Sequence, residues 1–330
     1  MAEPVNEFGL IQQIQQQTSV PATGVKLGIG DDAAVLEIPA GRHLVAATDT
    51  LNAGVHFPVD TSAFNIGYKC LAVNLSDLAA MGATPHWALL SLSLPGADAV
   101  WLKSFTAGFK SLALPFNVAL VGGDTTSGPL SISVTALGSI EPGRQLQRCG
   151  AQPGDLIVVS GTVGGAARVL DLLHETLLHK TLLHKTLSAD DQNLLDRPQP
   201  RVTLGQALVG HASACIDISD GLLADLGHLL QASGCAATLA TGALPIPGIL
   251  ADLADEQRWT YQLAGGDDYE LLFTLPVNQQ VLLKTWSKEL DITLSVIGTI
   301  EEGEGTRCIA PDGTEFHARK AGFDHFGNES

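Results

Sequence analysis

The chain has 330 residues, 45% of them hydrophobic, and its 18 basic against 35 acidic side chains leave a formal net charge of -17. That length suits two ordinary domains, and that apolar content supports packed cores rather than disorder. The negative charge disfavours nucleic acid and anionic membrane surfaces as partners, and an acidic protein that takes an anionic nucleotide needs cations between the two.

Asn6 is placed to cap a first helix with Phe8, Ile11 and Ile14 on one face, and Val25, Leu27 and Ile29 alternate as a strand running into GIGDD at 28–32. A second strand, 43–47, ends in Thr48-Asp49-Thr50. The longest helix follows Thr61 and Ser62 and runs to Met81, with Phe64, Tyr68, Leu71, Leu75 and Leu78 on one side and Gly82 as its stop. Strands fit 87–94, 117–121 and 130–140, with a helix near 98–112. Helices and strands mix without a βαβ rhythm, which predicts an α+β first domain. The Pro- and Gly-rich stretch 141–154 marks a boundary, giving domains 1–150 and 151–330. Beyond it, strands fit 156–160, 214–218, 271–275 and 292–297, and helices fit 165–184, 222–233 and 281–290.

The unit LLHET, LLHKT, LLHKT repeats at 172–186. A step of five residues turns about 140° around a helix, so His174, His179 and His184 do not share a face, and a surface helix or loop is expected rather than a metal site. Cys70, Cys149, Cys215, Cys235 and Cys308 never form a C-x-x-C pair and read as reduced, mostly buried thiols. No apolar run approaches the roughly 18 residues of a membrane span, and Glu3 and Glu7 precede any basic residue, so a cytoplasmic location is expected.

Neither a Walker-type G-x-x-x-x-G-K-[ST] nor a G-x-G-x-x-G that opens a helix occurs. Instead, aspartates sit where strands are expected to end or helices to begin: Asp31 and Asp32, Asp49, Asp77, Asp124, Asp217 and Asp220, Asp267 and Asp268. Each alone reads as an Asx-turn or an N-cap. As a set flanked by glycines they point to a hard divalent cation, which prefers carboxylate oxygens, and to phosphates approached by backbone amides.

GIGDD (28–32), ATDT (47–50), HF (56–57), NLSDLAAMGA (74–83), GGDTT (122–126), IDISDGL (216–222), GGDDYEL (265–271) and GFDHF (322–326) together resemble the thiamine-monophosphate kinases over nearly the whole chain. The resemblance implies the two-domain architecture shared with aminoimidazole ribonucleotide synthetase. Its first domain would form a dimer-spanning, β-barrel-like sheet and its second an α/β domain. It also implies a homodimer and the ATP-dependent conversion of thiamine phosphate to thiamine diphosphate by direct transfer. By the same resemblance Asp32, Asp49, Asp77, Asp124, Asp217 and Asp220, with Thr48, hold several Mg²⁺ ions. Gly123, Asp124, Arg148 and Ser219 contact ATP, and His56, Asp267 and Phe323 contact thiamine phosphate. Two positions depart from the family pattern: Ala47 stands where Ser is usual, and Asp267 where Glu is usual.

Rival readings remain open. One is another superfamily member, an ATP-dependent synthetase or a selenophosphate-forming enzyme; against the latter, no cysteine precedes Cys70, and against the related hydrogenase-maturation protein, which ends in Cys, the chain ends in Ser330. The other is a non-enzymatic nucleotide- or metal-binding regulator.

Overall fold

The computed structural model describes residues 7–20, 23–179 and 187–323. Asn6, the side chain of His179, His184 and residues 324–326 of the last motif lie outside the described residues. The chain divides into two compact units, Met1–Leu78 with Ala83–Gln145, and Ala79–Gly82 with Leu146–Ser330.

The first unit runs α1 (Glu7–Thr18), β1 (Val25–Leu27), β2 (Val35–Leu36), β3 (His43–Asn52), α2 (Ala63–Ala80), β4 (Thr84–Leu94), α3 (Ala99–Ala113), β5 (Ala119–Ser127) and β6 (Ser131–Ile140). Four strands form an open sheet in the order β3-β6-β4-β5, with β4–β5 parallel and the other pairs antiparallel. Burial along β6 alternates: Ile132, Val134 and Ala136 are buried while Ser131, Ser133 and Thr135 are partly exposed. That is the period-two signature of a sheet with one face on a core. No closed barrel is found among the described residues, and β3 and β5 are the two edges of this sheet.

β3 and β5 extend beyond the expected 47 and 121 because their second halves carry Thr48, Thr50, Asp124 and Thr126 on exposed positions. A polar stretch on a solvated strand does not end the strand. Asp49 and Asp124 therefore lie inside strands, and Asp77 inside the last turn of α2, not at the element ends that the sequence suggests.

The helix α2 is buried almost all round, with Cys70, Leu71, Ala72, Leu75 and Leu78 fully enclosed. It stops as expected at Gly82, whose φ is 70°, through Gly82 N–H donating to Ala79 O at 2.9 Å and Ala83 N–H donating to Leu78 O at 2.9 Å. This pair of bonds is a Schellman motif. Asp98 caps α3, accepting from Val100 N–H at 2.8 Å and Trp101 N–H at 3.0 Å.

α2 and α3 cross with their backbones touching. A Cβ on Gly67 would stand 2.0 Å from Phe105 O, and one on Gly108 1.9 Å from Phe64 O. Gly108→Ala is expected to lower stability by about 1–3 kcal/mol, because the added carbon meets backbone that cannot swing aside. A shift in the denaturant midpoint measures it; an unchanged midpoint contradicts the close crossing.

The second unit runs β7 (Leu156–Ser160), α4 (Gly165–His179), α5 (Ala189–Asp196), α6 (Val202–Leu208), β8 (Ala214–Asp217), α7 (Leu222–Ser233), β9 (Ala236–Ala240), α8 (Asp255–Ala264), β10 (Leu271–Leu275), α9 (Val281–Leu290), β11 (Leu294–Glu301), β12 (Gly305–Ile309) and β13 (Glu315–Phe316). Its seven strands lie in the order β13-β12-β9-β11-β7-β10-β8. Every pairing but the parallel β9–β12 is antiparallel, so the expected α/β character is realised as a mixed, mainly antiparallel sheet rather than a run of βαβ units. A core of Ile157, Val159, Ile216, Leu226, Leu229, Leu263 and Ile297 is fully or almost fully buried.

Among the described residues no disulfide is formed: Cys70, Cys215, Cys235 and Cys308 are buried thiols and Cys149 is exposed. No helix among them is long and apolar enough to cross a membrane.

Candidate active site

In the first unit a cleft of about 830 Å³ brings two of the glycine–aspartate motifs together. One wall is apolar, from Ile11 and Ile14 of α1 with Leu36 and Leu120. The rest of the lining includes Gly30, Asp31 and Asp32 from the first motif and Gly122, Gly123 and Asp124 from β5. Gly123 is required where it stands: its φ is 150°, and a Cβ there would lie 1.8 Å from Leu90 O. A lining that combines apolar side chains, glycines and exposed carboxylates suits a ligand with a flat apolar part and a phosphate tail joined through cations.

Elsewhere in this unit Asp49 of β3 meets Asp77 of α2. The Asp49 carboxyl is raised from its ordinary value, chiefly by burial, against the opposing effects of a hydrogen bond with Asp77 and the charge of His56. Two carboxyls brought this close repel once both ionise, and a divalent cation relieves that repulsion. Thr48 Oγ1 is bonded to Val134 O at 3.1 Å and to Thr135 Oγ1 at 3.0 Å. His56 is held by the turn after β3, where its Nδ1 accepts from Asn52 N–H at 3.0 Å. In the neutral ring this leaves Nε2 as the donor.

The sheet does not gather all four acids of this unit. Asp49 is on edge strand β3 and Asp124 on edge strand β5. Three strand spacings separate these edges, about 14 Å along the sheet at ~4.8 Å per spacing.

In the second unit the motif IDISDGL ends β8 and opens α7, and GGDDYEL leads into β10. Backbone bonds stitch the two loops together: Asp267 N–H to Ser219 O at 2.8 Å, Tyr269 N–H to Ile218 O at 2.8 Å and Ile218 N–H to Glu270 O at 2.8 Å. Asp267 and Tyr269 hold left-handed φ values of 72° and 51°, a conformation costly for non-glycine residues and concentrated at functional turns. The C-terminal stretch joins the same turn through Phe323 N–H to Asp220 O at 2.9 Å. The motif residues Asp217, Ser219, Asp220, Asp267 and Phe323 thus sit around one turn, while Arg148 is exposed on the segment tied to β8 by Cys215 N–H to Gln147 O at 2.8 Å.

Three further acids support this turn. Asp225, one turn into α7, accepts through Oδ2 from three successive amides, Ser219 at 3.0 Å, Asp220 at 3.1 Å and Gly221 at 3.2 Å. Burial, then Asp217 and Asp220, push its carboxyl up to about 7. Asp268 accepts from Gly164 N–H at 2.7 Å, and burial raises its carboxyl well above the usual range. Behind the loop, Arg201 grips Glu270 through Nε–Oε2 at 2.6 Å and Nη2–Oε1 at 2.5 Å, and Ser160 Oγ donates to Glu270 Oε2 at 2.5 Å. Asp268 belongs to the aspartate set read from the sequence, whereas Asp225 and Glu270 are indistinguishable there from ordinary helix and turn residues; the partner that marks Glu270, Arg201, lies 69 positions away and is invisible one-dimensionally.

Residues 30–140 match the AIR synthase related protein, N-terminal domain family, and residues 152–310 the AIR synthase related protein, C-terminal domain family. Fold and motifs together make this a two-domain AIR synthase related protein. The thiamine-monophosphate kinase of Escherichia coli K12 is 41% identical over 325 residues, covering 97% of this chain and 98% of that protein. The crystal structure of thiamine-monophosphate kinase from Stenotrophomonas maltophilia K279a superposes with a TM-score of 0.85 at 47% identity, covering 94% of this chain and 98% of that one. A structure of AaThiL complexed with AMPPCP and TMP superposes with a TM-score of 0.75 at 32% identity, covering 98% and 97%. Within the wider class, the chain belongs to the thiamine-monophosphate kinase family.

Proposed function

We propose that this protein transfers the terminal phosphoryl group of ATP to thiamine phosphate, giving thiamine diphosphate and ADP. The observation that carries the reading is the full-length match to thiamine-monophosphate kinases, one relative having been solved with AMPPCP and TMP. The first-unit cleft, lined by glycines, carboxylates and apolar side chains, supports ATP as co-substrate. The cytoplasm fits a chain of this charge acting on small phosphate esters.

Among the described residues no three His, Cys, Asp or Glu side chains form a ready cage for a metal. Mg²⁺ takes one or two carboxylates and completes its octahedron with water and substrate phosphates. Asp32, Asp49, Asp77, Asp124, Asp217 and Asp220, with an oxygen at Thr48, would share several such ions between them. When bound, Mg²⁺ supplies neutralisation of phosphate charge. ATP is assigned to Gly123, Asp124, Arg148 and Ser219, and thiamine phosphate to His56, Asp267 and Phe323.

Phosphoryl transfer requires in-line positioning and charge neutralisation more than covalent help. The acceptor phosphate has a second pKa near ~6 and is largely ionised at neutral pH, so no strong base is needed. Two polyanions must still approach: unit charges ~4 Å apart repel by about 4 kcal/mol at an effective dielectric of 20. Arg148 and the His56 Nε2 donor offset part of this, and transfer is direct, without a phosphorylated enzyme.

A homodimer through the first unit completes the assignment. β3 offers ten residues of open strand edge, and β5 nine at the opposite edge of the sheet. A second copy related by a two-fold axis would set the β3 edge of each copy against the β5 edge of the other, closing a barrel-like sheet and setting Asp49 of one copy beside Asp124 of the other.

The assay is steady-state ADP release with ATP and Mg²⁺. Release that depends on thiamine phosphate is expected. Nucleotide binding without such release would favour a regulator, and release with another acceptor would favour a different enzyme of the superfamily.

A further inference from the structure

We infer that Asp225 is a positioning residue that sets the Ser219–Gly221 turn and, through it, both substrate-binding loops of the second unit. The inference rests on the reading that this turn serves ATP and thiamine phosphate.

The amides of Ser219, Asp220 and Gly221 all converge on one carboxylate oxygen at 3.0–3.2 Å. Three successive N–H groups aimed at one point form the kind of concavity that binds anions. Here the chain fills it with its own carboxylate, and Asp225 is buried at 3% exposure. The turn's donors are thus consumed within the protein, so it presents side chains to a ligand rather than amides. Gly221 at the helix start makes no side-chain cap, and Asp225 takes over that role from inside the helix.

The carbonyls of the same turn are also committed. Ser219 O holds Asp267 N–H at 2.8 Å, and Asp220 O holds Phe323 N–H at 2.9 Å. Space is tight behind them: a Cβ on Gly266 would lie 2.6 Å from Ser219 O, and one on Gly322 2.6 Å from Asp220 O. A shift of the turn therefore carries the backbones of Asp267 and Phe323 with it. Asp225 touches no proposed ligand, yet fixes the backbone beneath four residues assigned to them.

Displacing positioned groups by ~1 Å costs about 100-fold in rate. Asp225→Ala, which removes the acceptor, is expected to lower kcat/KM for both ATP and thiamine phosphate by about 30- to 100-fold in protein whose circular dichroism is unchanged. Asp225→Glu keeps the charge but pushes the oxygen one methylene further, and about a 10-fold loss is expected. Asp225→Asn keeps one acceptor oxygen in place and is expected to recover to within about fivefold of the parent. If the alanine variant does not fold, the order of Asn above Glu still decides. Asp155, a buried carboxylate bonded to Ser213 Oγ at 2.6 Å in the same unit, provides the comparison: Asp155→Asn is expected to lower the melting temperature and leave kcat/KM unchanged. Asp225 variants that lose melting temperature but keep kcat/KM within twofold would overturn the inference. A parent protein with no thiamine-phosphate-dependent turnover would instead overturn the functional reading beneath it.

Discussion

Asp49→Asn and Asp124→Asn are each expected to lower kcat by about a thousandfold while the protein stays folded. Each substitution keeps shape and removes the charge that a divalent cation and its bound phosphates require. Asp49 is half-buried beside Asp77, so the amide also removes a like-charge conflict and stability is expected to hold or rise slightly. Asp124 is exposed, so its loss is expected to cost little stability. Unchanged kcat at saturating Mg²⁺ in both variants would reduce these acids to turn and strand residues.

The two variants also test the shared site. With Asp49 and Asp124 on opposite edges of one sheet, each variant alone spoils every site of a dimer that pairs β3 with β5. Mixed in equal amounts and allowed to exchange, half the dimers become heterodimers, and each heterodimer recovers one intact site. Activity is then expected to return to about a quarter of the parent. Activity that stays at the mean of the two separate variants would place both acids in a site confined to one copy.

Arg201→Met is expected to destabilise the second unit by about 3–5 kcal/mol, because it leaves the buried Glu270 carboxylate without its cation. Glu270 is 7% exposed and bonded on both oxygens, by Arg201 and by Ser160 Oγ. Ser160 Oγ also accepts from Leu271 N–H at 2.9 Å, so the cluster ties β7 to the start of β10 just after Asp267. Gly161 leaves no slack, since a Cβ there would lie 2.0 Å from Glu270 Oε1. A fall in melting temperature of about 10 °C is expected for a unit of this size. The double variant Arg201→Met with Glu270→Met is expected to regain most of it, since a packed apolar pair avoids the desolvation cost. A single variant as stable as the parent would show that the pair carries no net stabilisation.

The parts of this molecule legible in sequence are those set by local rules. The α2 helix and its stop at Gly82 follow from an apolar run ended by a residue that tolerates positive φ. The strands 156–160 and 271–275 follow from short, mostly apolar runs, and the structure keeps the same bounds. Errors fall where tertiary context decides. Thr48-Asp49-Thr50 reads as a strand end, yet β3 continues through it because β6 supplies a partner strand and solvent accepts the hydroxyls. β9, β12 and β13 escape notice because they are short and neither strictly alternating nor wholly apolar; their strand character comes from neighbours far away in sequence. The glycine–aspartate motifs mark a metal and phosphate chemistry from residue type and spacing alone. Asp225 and the Arg201–Glu270 pair do not show, because their work is done on backbone amides and on each other rather than on a ligand.

The most direct measurement is phosphorus NMR of the protein incubated with ATP, Mg²⁺ and thiamine phosphate. The expected result is growth of the two coupled resonances of a diphosphate ester as thiamine phosphate disappears, matched by ADP. Resonances of ATP and thiamine phosphate that persist unchanged, with nucleotide demonstrably bound, would contradict the assignment of a kinase.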